Sequence, residues 1–348
     1  MRFLRDRFKE LTPYHSDFLT EGVILNSNES PYAPPAELTE YLAEEVKKLH
    51  LNRYPDTDST KLAESIAKAY GVKLENVICG VGSDELIDVL LASTINEDDK
   101  VLMPYPSFSM YGQYTLLNSG YALKCNLNSE FGYDVEKYKE LVKEYAPKIA
   151  FICNPNNPTG CVMQKSDIED IVAISKGIVI VDEAYMDFAT NEAELSVIDL
   201  INKYDNLVVL RTFSKAYALA GSRVGYAIAG KEIIDLISSV KSPYDLNMFS
   251  QLAATWNMEH KELFKENARR IISERAALND GLVKLGFKTY PSEANFIWLE
   301  MDDKYFDLLK ERKIYIRRMS VYDKFYYRIT VGTPEENAAL LSALEELK

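Results

Sequence analysis

Histidine and cysteine are scarce, 3 and 4 in 348 residues, and Cys79, Cys125, Cys153 and Cys161 fall at no metal-ligand spacing. That argues against a metal centre and a disulfide-stapled scaffold, and fits buried, reduced thiols in a cytoplasmic protein. Long apolar runs are missing as well: no stretch approaches the ~18 residues that a transmembrane helix requires. The start, Met1 to Leu11, holds four basic and two acidic residues and no apolar h-region, so no secretory leader is expected. Positive charge is in deficit, 40 Lys and Arg against 53 Asp and Glu, a net charge of −13. Such a surface repels nucleic acid and anionic membrane at long range, and neither is an expected partner.

What is present is globular: 47% apolar and 27% charged residues over a length that suits two domains rather than one or three. Short apolar, β-branched runs at 77–79, 101–103, 149–153, 178–181, 207–210 and 224–229 alternate with helical patterns such as 61–70, 85–93 and 168–175. Alternation of that kind predicts an α/β domain with a mainly parallel sheet covered by helices. Ligands of such sheets sit at the carboxyl ends of the strands. After Ser242-Pro243-Tyr244 the pattern changes to a long helix over 260–285, strands at 296–300 and 326–331, and a terminal helix from Glu335. The expected organisation is an N-terminal arm, 1–28, packing across a large domain, 29–242, and a smaller α+β domain, 243–348.

Five segments lie at or within predicted strands and carry chemistry. Gly80-Val81-Gly82-Ser83-Asp84 opens a helix, where free N–H groups suit an anion, although Ser83 or Asp84 could equally cap the helix. No Gly-Lys-Ser/Thr follows, so it is not a P-loop. Asn154-Pro155-Asn156-Asn157-Pro158-Thr159-Gly160 is a rigid turn holding asparagine side chains at a strand end. Asp182, in Val181-Asp182-Glu183-Ala184-Tyr185, ends a buried strand and needs a cationic partner to stay charged. Lys215, in Arg211-Thr212-Phe213-Ser214-Lys215 with Arg223 downstream, is either a surface charge or a Schiff-base former whose neighbours hold a phosphate. Arg328, within Tyr327-Arg328-Ile329-Thr330-Val331, is a charge inside an apolar strand, which asks for a carboxylate or phosphate. Arg328 also ends a stretch from Arg312 with six basic residues and one acid, either a solvated face or an anion site. A lysine for an aldehyde, an aspartate for a pyridinium nitrogen, Asn and Tyr for a phenolic oxygen and a phosphate cup together describe pyridoxal phosphate.

With Leu11-Thr12-Pro13-Tyr14, Leu25-Asn26-Ser27-Asn28-Glu29 and Arg53-Tyr54-Pro55-Asp56 added, the whole chain resembles the fold-type I pyridoxal-phosphate aminotransferases, and among them most resembles the histidinol-phosphate aminotransferases. The resemblance implies that Lys215 carries the cofactor and shuttles protons, that Asp182 pairs with the ring nitrogen, and that Asn157 and Tyr185 serve the phenolic oxygen. It makes Phe108 the residue stacked on the ring and Ser83, Asp84, Thr212, Ser214 and Arg223 the phosphate cup; Thr212 stands where many relatives have serine. Tyr54 would reach the phosphate of a neighbouring subunit, implying a homodimer with shared active sites. Arg328 and Arg317 would hold substrate anions, Arg317 from what reads as a strand end, while Tyr14, Asn28 and Glu29 close over the substrate. The implied reaction is ping-pong transfer between glutamate/2-oxoglutarate and histidinol phosphate/imidazole-acetol phosphate. Aromatic amino-acid aminotransferases and threonine-phosphate decarboxylases share nearly all of this pattern. A non-catalytic pyridoxal-binding regulator normally carries an attached nucleic-acid-binding domain, for which the length leaves no room.

Overall fold

The computed structural model describes residues 5–9 and 18–348. Among them are twelve strands: β1 Val23–Leu25, β2 Val77–Gly80, β3 Lys100–Tyr105, β4 Tyr121–Asn126, β5 Ile149–Cys153, β6 Ile178–Asp182, β7 Leu207–Thr212, β8 Gly225–Ala229, β9 Lys288–Tyr290, β10 Phe296–Glu300, β11 Ile314–Val321 and β12 Lys324–Thr330. The α-helices are α1 Ala36–Val46, α2 Thr60–Tyr70, α3 Gly82–Thr94, α4 Met110–Leu117, α5 Val135–Tyr145, α6 Lys165–Ile174, α7 Glu192–Leu195, α8 Lys231–Val240, α9 Met248–Glu259, α10 Lys261–Lys284, α11 Asp303–Glu311 and α12 Pro334–Glu346.

Seven strands form the large sheet in the order β2-β8-β7-β6-β5-β3-β4. Its strands run parallel except β8, which is antiparallel to both β2 and β7. Both faces are covered, and the period of two shows in the packing. Ile149, Phe151 and Cys153 of β5 join one apolar cluster with α3, while Ala150 and Ile152 join another with α2 and α6. The same alternation puts Asp182 and Thr212 on the α3/α4 side of the sheet and Arg211 on the other.

The second sheet has the order β1-β11-β12-β10-β9. α10 meets β9 and β10 of this sheet and buries a stripe of Phe264, Ala268, Ile271, Leu278 and Leu282, the spacing of one helix face, with Phe264 packed on Tyr217. α12 is started by a reciprocal Thr333/Glu336 cap with Pro334 in the first turn. The chain divides differently from the expected boundaries at two places. β1, inside the expected arm, pairs in parallel with β11 and so becomes an edge of the second sheet. α9, beyond 242, buries Ala253, Ala254 and Trp256 and packs on α1 and α2, so the crossing to the second sheet is made by α10.

Candidate active site

The carboxyl ends of β2, β3, β5, β6 and β7 open into a cavity of about 440 Å³, closed on its far side by β11, β12 and the segment after β1. Lys215, Asp182, Tyr185, Asn157 and Arg328 all line it.

Asp182, the last residue of β6, is 4% exposed. Its Oδ2 accepts from the Tyr111 hydroxyl at 2.7 Å and its Oδ1 from the Ala184 amide at 3.1 Å. Among the described residues it makes no ion pair, and burial pushes its carboxyl up to about 6. Tyr111 was not legible as a site residue: it sits one turn beyond Phe108, stacks on Phe151 with centroids 4.5 Å apart, and meets Phe108 edge-on. The spacing of three between two aromatics in Pro106 to Tyr111 is the only signal the sequence carries for it.

Lys215 follows β7 by three residues, and its Nζ donates to the Ser27 carbonyl at 3.2 Å. Burial and the charge of Arg328 lower its ammonium to about 8, with Glu29 acting weakly in the opposite sense. Glu29 itself is exposed and does not line the cavity. Asn28, by contrast, is 1% exposed and adopts φ 56°. Its Nδ2 donates to the Tyr185 hydroxyl at 3.0 Å, its N–H to Thr330 Oγ1 at 3.0 Å, and its carbonyl accepts from Asn295 at 3.1 Å. That residue therefore fastens the segment after β1 to both sheets. Tyr14 lies outside the described residues.

The predicted helix at Glu85 begins earlier, at Gly82, so Ser83 and Asp84 fall in the first turn of α3. Gly82 has φ +78°, and a Cβ there would stand 2.7 Å from Arg223 Nη2. Arg223 donates to Asp84 Oδ2 at 3.1 Å and to Ser214 Oγ at 3.3 Å, while Thr212 and Ser214 hydroxyls are 3.0 Å apart. Free amides at a helix start, three hydroxyls and a guanidinium thus converge on one concavity, which is an anion cup.

Arg317 is not at a strand end. It lies within β11 and stands directly opposite Arg328 of β12, both lining the cavity. Arg328 Nη1 donates to Asn157 Oδ1 at 2.6 Å and Nη2 to the Asn26 carbonyl at 2.8 Å, which aims the Asn157 amide nitrogen elsewhere. The rest of the basic stretch belongs to the surface: Arg312 pairs with Glu346, Lys313 with Glu21 and Arg318 with Asp303. Tyr54 is 77% exposed, stacks on Tyr244 and does not line this cavity.

Beneath the site, on the opposite face of the sheet, lies a buried ion pair that the sequence pattern does not reveal. Arg211 Nε donates to Glu183 Oε2 at 2.9 Å, and the two are 1% and 0% exposed. The pair ties the ends of β6 and β7 together, the strands that carry Asp182 and lead to Lys215; Arg211 also meets Asp187 at 3.5 Å and Glu192 at 3.0 Å, so it is loss of the arginine that would strand the buried Glu183 charge.

The model of the family "Aminotransferase class I and II" matches residues 20–344. The chain is 38% identical to the histidinol-phosphate aminotransferase of Thermoanaerobacter sp. (strain X514), covering 99% of this chain and 98% of that one. The structure resembles the histidinol-phosphate aminotransferase of Clostridium acetobutylicum, with TM-score 0.85 and 26% identity over 93% of this chain and 98% of that one. It also shares its fold with the enzyme of that name from Sinorhizobium meliloti in complex with pyridoxal-5'-phosphate, at TM-score 0.90 and 20% identity, covering 100% and 99% of the two chains. The chain is a fold-type I aminotransferase, a member of the class I and II family and, within it, of the histidinol-phosphate aminotransferase family.

Proposed function

We propose that this aminotransferase uses pyridoxal 5'-phosphate to exchange an amino group between glutamate/2-oxoglutarate and histidinol phosphate/imidazole-acetol phosphate, as a homodimer. The observation that carries the substrate reading is the Arg317–Arg328 pair, two like charges opposite one another across the β11–β12 ladder and facing the cavity. Two cationic groups on one wall of a cavity concentrate positive potential there, which suits an anionic substrate. Two guanidinium groups suit a dicarboxylate in one half-reaction and a phosphate ester in the other.

The donor set fits the cofactor. The cup of α3 amides, Ser83, Thr212, Ser214 and Arg223 would hold its phosphate, and Phe108 would lie against its ring. Asp182, a buried carboxylate with a hydroxyl and an amide but no cation beside it among the described residues, would hold the proton at the ring nitrogen. The Asn157 amide and Tyr185 hydroxyl would donate to the phenolic oxygen. When bound, the cofactor supplies an electron sink for the carbon that loses its proton. Lys215, with its ammonium lowered to about 8, is partly a free amine near neutrality and can take that proton and return it to the adjoining carbon. Tyr54 would serve the phosphate of a second copy rather than that of its own cavity, a role its exposure and its stacking on Tyr244 support.

The test is to measure half-reaction rates separately with glutamate, histidinol phosphate and phenylalanine. Arg317→Ala should weaken the phosphate-bearing substrate most, by about 30- to 1,000-fold if that contact is desolvated, ~2–4 kcal/mol. Glutamate should suffer less and phenylalanine hardly at all. A wild-type preference for phenylalanine over histidinol phosphate would overturn the substrate while leaving the cofactor untouched.

A further inference from the structure

We infer that Glu85 is a positioning residue for the phosphate cup, working as a neutral carboxylic acid that bridges the Val81 amide to the Asp245 carboxylate. The inference rests on the cofactor reading above and concerns a group outside the cavity lining.

Glu85 is the fourth residue of α3, and its Oε2 accepts from the Val81 amide at 2.7 Å. That contact closes the turn Gly80-Val81-Gly82 on itself, and this turn sets the direction of the amides at Ser83 and Asp84. The carboxyl lies against bare glycine: a Cβ on Gly80 would come within 2.9 Å of Glu85 Oε2. From the other side, a Cβ on Gly225 of β8 would be 2.3 Å from the Ser83 nitrogen, so the cup backbone has no room to shift.

The second carboxyl comes from the segment between α8 and α9. Asp245 Oδ1 accepts from Lys241 Nζ at 2.5 Å, with side chains 5% and 8% exposed. Its Oδ2 is buried and has no hydrogen-bond partner among the described residues. Asp245 acts on the Glu85 carboxyl both as a side-chain hydrogen-bond partner and as a like charge. Two ionised carboxylates facing each other beside one ammonium leave a buried negative charge and an orphaned acceptor, each costly. One proton resolves both. Placed on Glu85 Oε1, it is donated to Asp245 Oδ2, Oε2 keeps the Val81 amide, and the Lys241–Asp245–Glu85 trio is neutral.

The other groups facing the trio do not compete for this role. Cys79 of β2 is pushed up to about 12 by burial and stays a thiol. Tyr114 of α4 is also raised by burial, and stays a phenol. On α3 itself, Asp84 is engaged by Arg223 and Asp88 by Asn118. Burial, with Asp245 adding, moves the Glu85 carboxyl from 4.5 up to about 7. A raised acid favours the fold while protonated, so the bridge is fully present below 4.5 and is lost as pH rises through about 7.

Glutamine reproduces the protonated acid: its oxygen accepts from Val81 and its amide donates to Asp245. The experiment measures dissociation of pyridoxal 5'-phosphate, with phosphate-free pyridoxal as control, from wild type, Glu85→Gln and Glu85→Ala at pH 6 and pH 8.5. Wild type and Glu85→Gln should bind pyridoxal 5'-phosphate equally at pH 6, and Glu85→Gln should bind about tenfold more tightly at pH 8.5. Glu85→Ala should bind weakly at both, and pyridoxal should not distinguish the three proteins. Asp245→Asn, which supplies a donor and removes the neighbouring charge, should abolish the wild-type difference between the two pH values, measured relative to Glu85→Gln. Glutamine behaving like alanine at pH 6, or a wild-type-to-glutamine ratio that does not change with pH, overturns the inference alone. A wild type that binds no pyridoxal 5'-phosphate overturns the cofactor reading and this inference with it.

Discussion

Lys215→Ala is expected to slow the glutamate half-reaction by roughly 10²- to 10⁴-fold, the usual worth of a positioned general acid–base. The amine sits in the cavity with a carbonyl, not a carboxylate, as its hydrogen-bond partner, and Arg328 disfavours its charge further. Both features favour the neutral amine that proton transfer requires. Because the ammonium is lowered to about 8, the wild-type rate should climb as pH rises toward that value. The cofactor should stay bound through the phosphate cup, so the loss lies in chemistry and not in occupancy. Stopped-flow absorbance of the loaded variant mixed with glutamate measures it, and a rate within tenfold of wild type would remove Lys215 from the proton path.

Asp182→Asn should cost about 30- to 1,000-fold in each half-reaction, ~2–4 kcal/mol for one charge-assisted contact with a desolvated cation. The shape is kept: the asparagine oxygen can still accept from the Ala184 amide, while its NH2 would donate to the Tyr111 hydroxyl oxygen. In the cofactor-free protein, burial raises Asp182 from 3.8 to about 6, so its contribution to stability is full below 3.8 and is lost as pH rises through about 6. A cation at the ring nitrogen reverses that penalty. Going from pH 5 to pH 8, cofactor addition should therefore gain more in melting temperature in wild type than in Asp182→Asn, the variant cancelling every other group's pH dependence. The same pH dependence in both proteins, with near-normal turnover in the variant, would show that Asp182 does not tune the ring.

The buried strands of the large sheet are legible in the sequence because burial on both faces leaves continuous apolar runs. β4 is not, since Tyr121–Asn126 is an edge strand with one fully buried residue, Cys125. β11 is hidden for a related reason: Arg317, Arg318 and Ser320 interrupt its pattern, one arginine facing the cavity and the other the surface. That concealment is what misplaced Arg317 at a strand end. Within the site, residues at strand ends could be read because topology puts chemistry there. The Tyr111–Asp182 bond, the Arg211–Glu183 brace and the Glu85–Asp245 interaction join residues 28 to 160 positions apart, and no local spacing records them. The two cavity arginines, Arg317 and Arg328, were legible as residue types; only the β11–β12 register shows that they face each other.

The most direct measurement is reduction of the pyridoxal 5'-phosphate-loaded protein with borohydride, followed by peptide mapping of the pyridoxyl group. One adduct on Lys215 is the expected result, because it is the lysine lining the cavity that also holds Asp182, the phosphate cup and the paired arginines. An adduct on another lysine, or none, would contradict the assignment of this cavity as the seat of transamination.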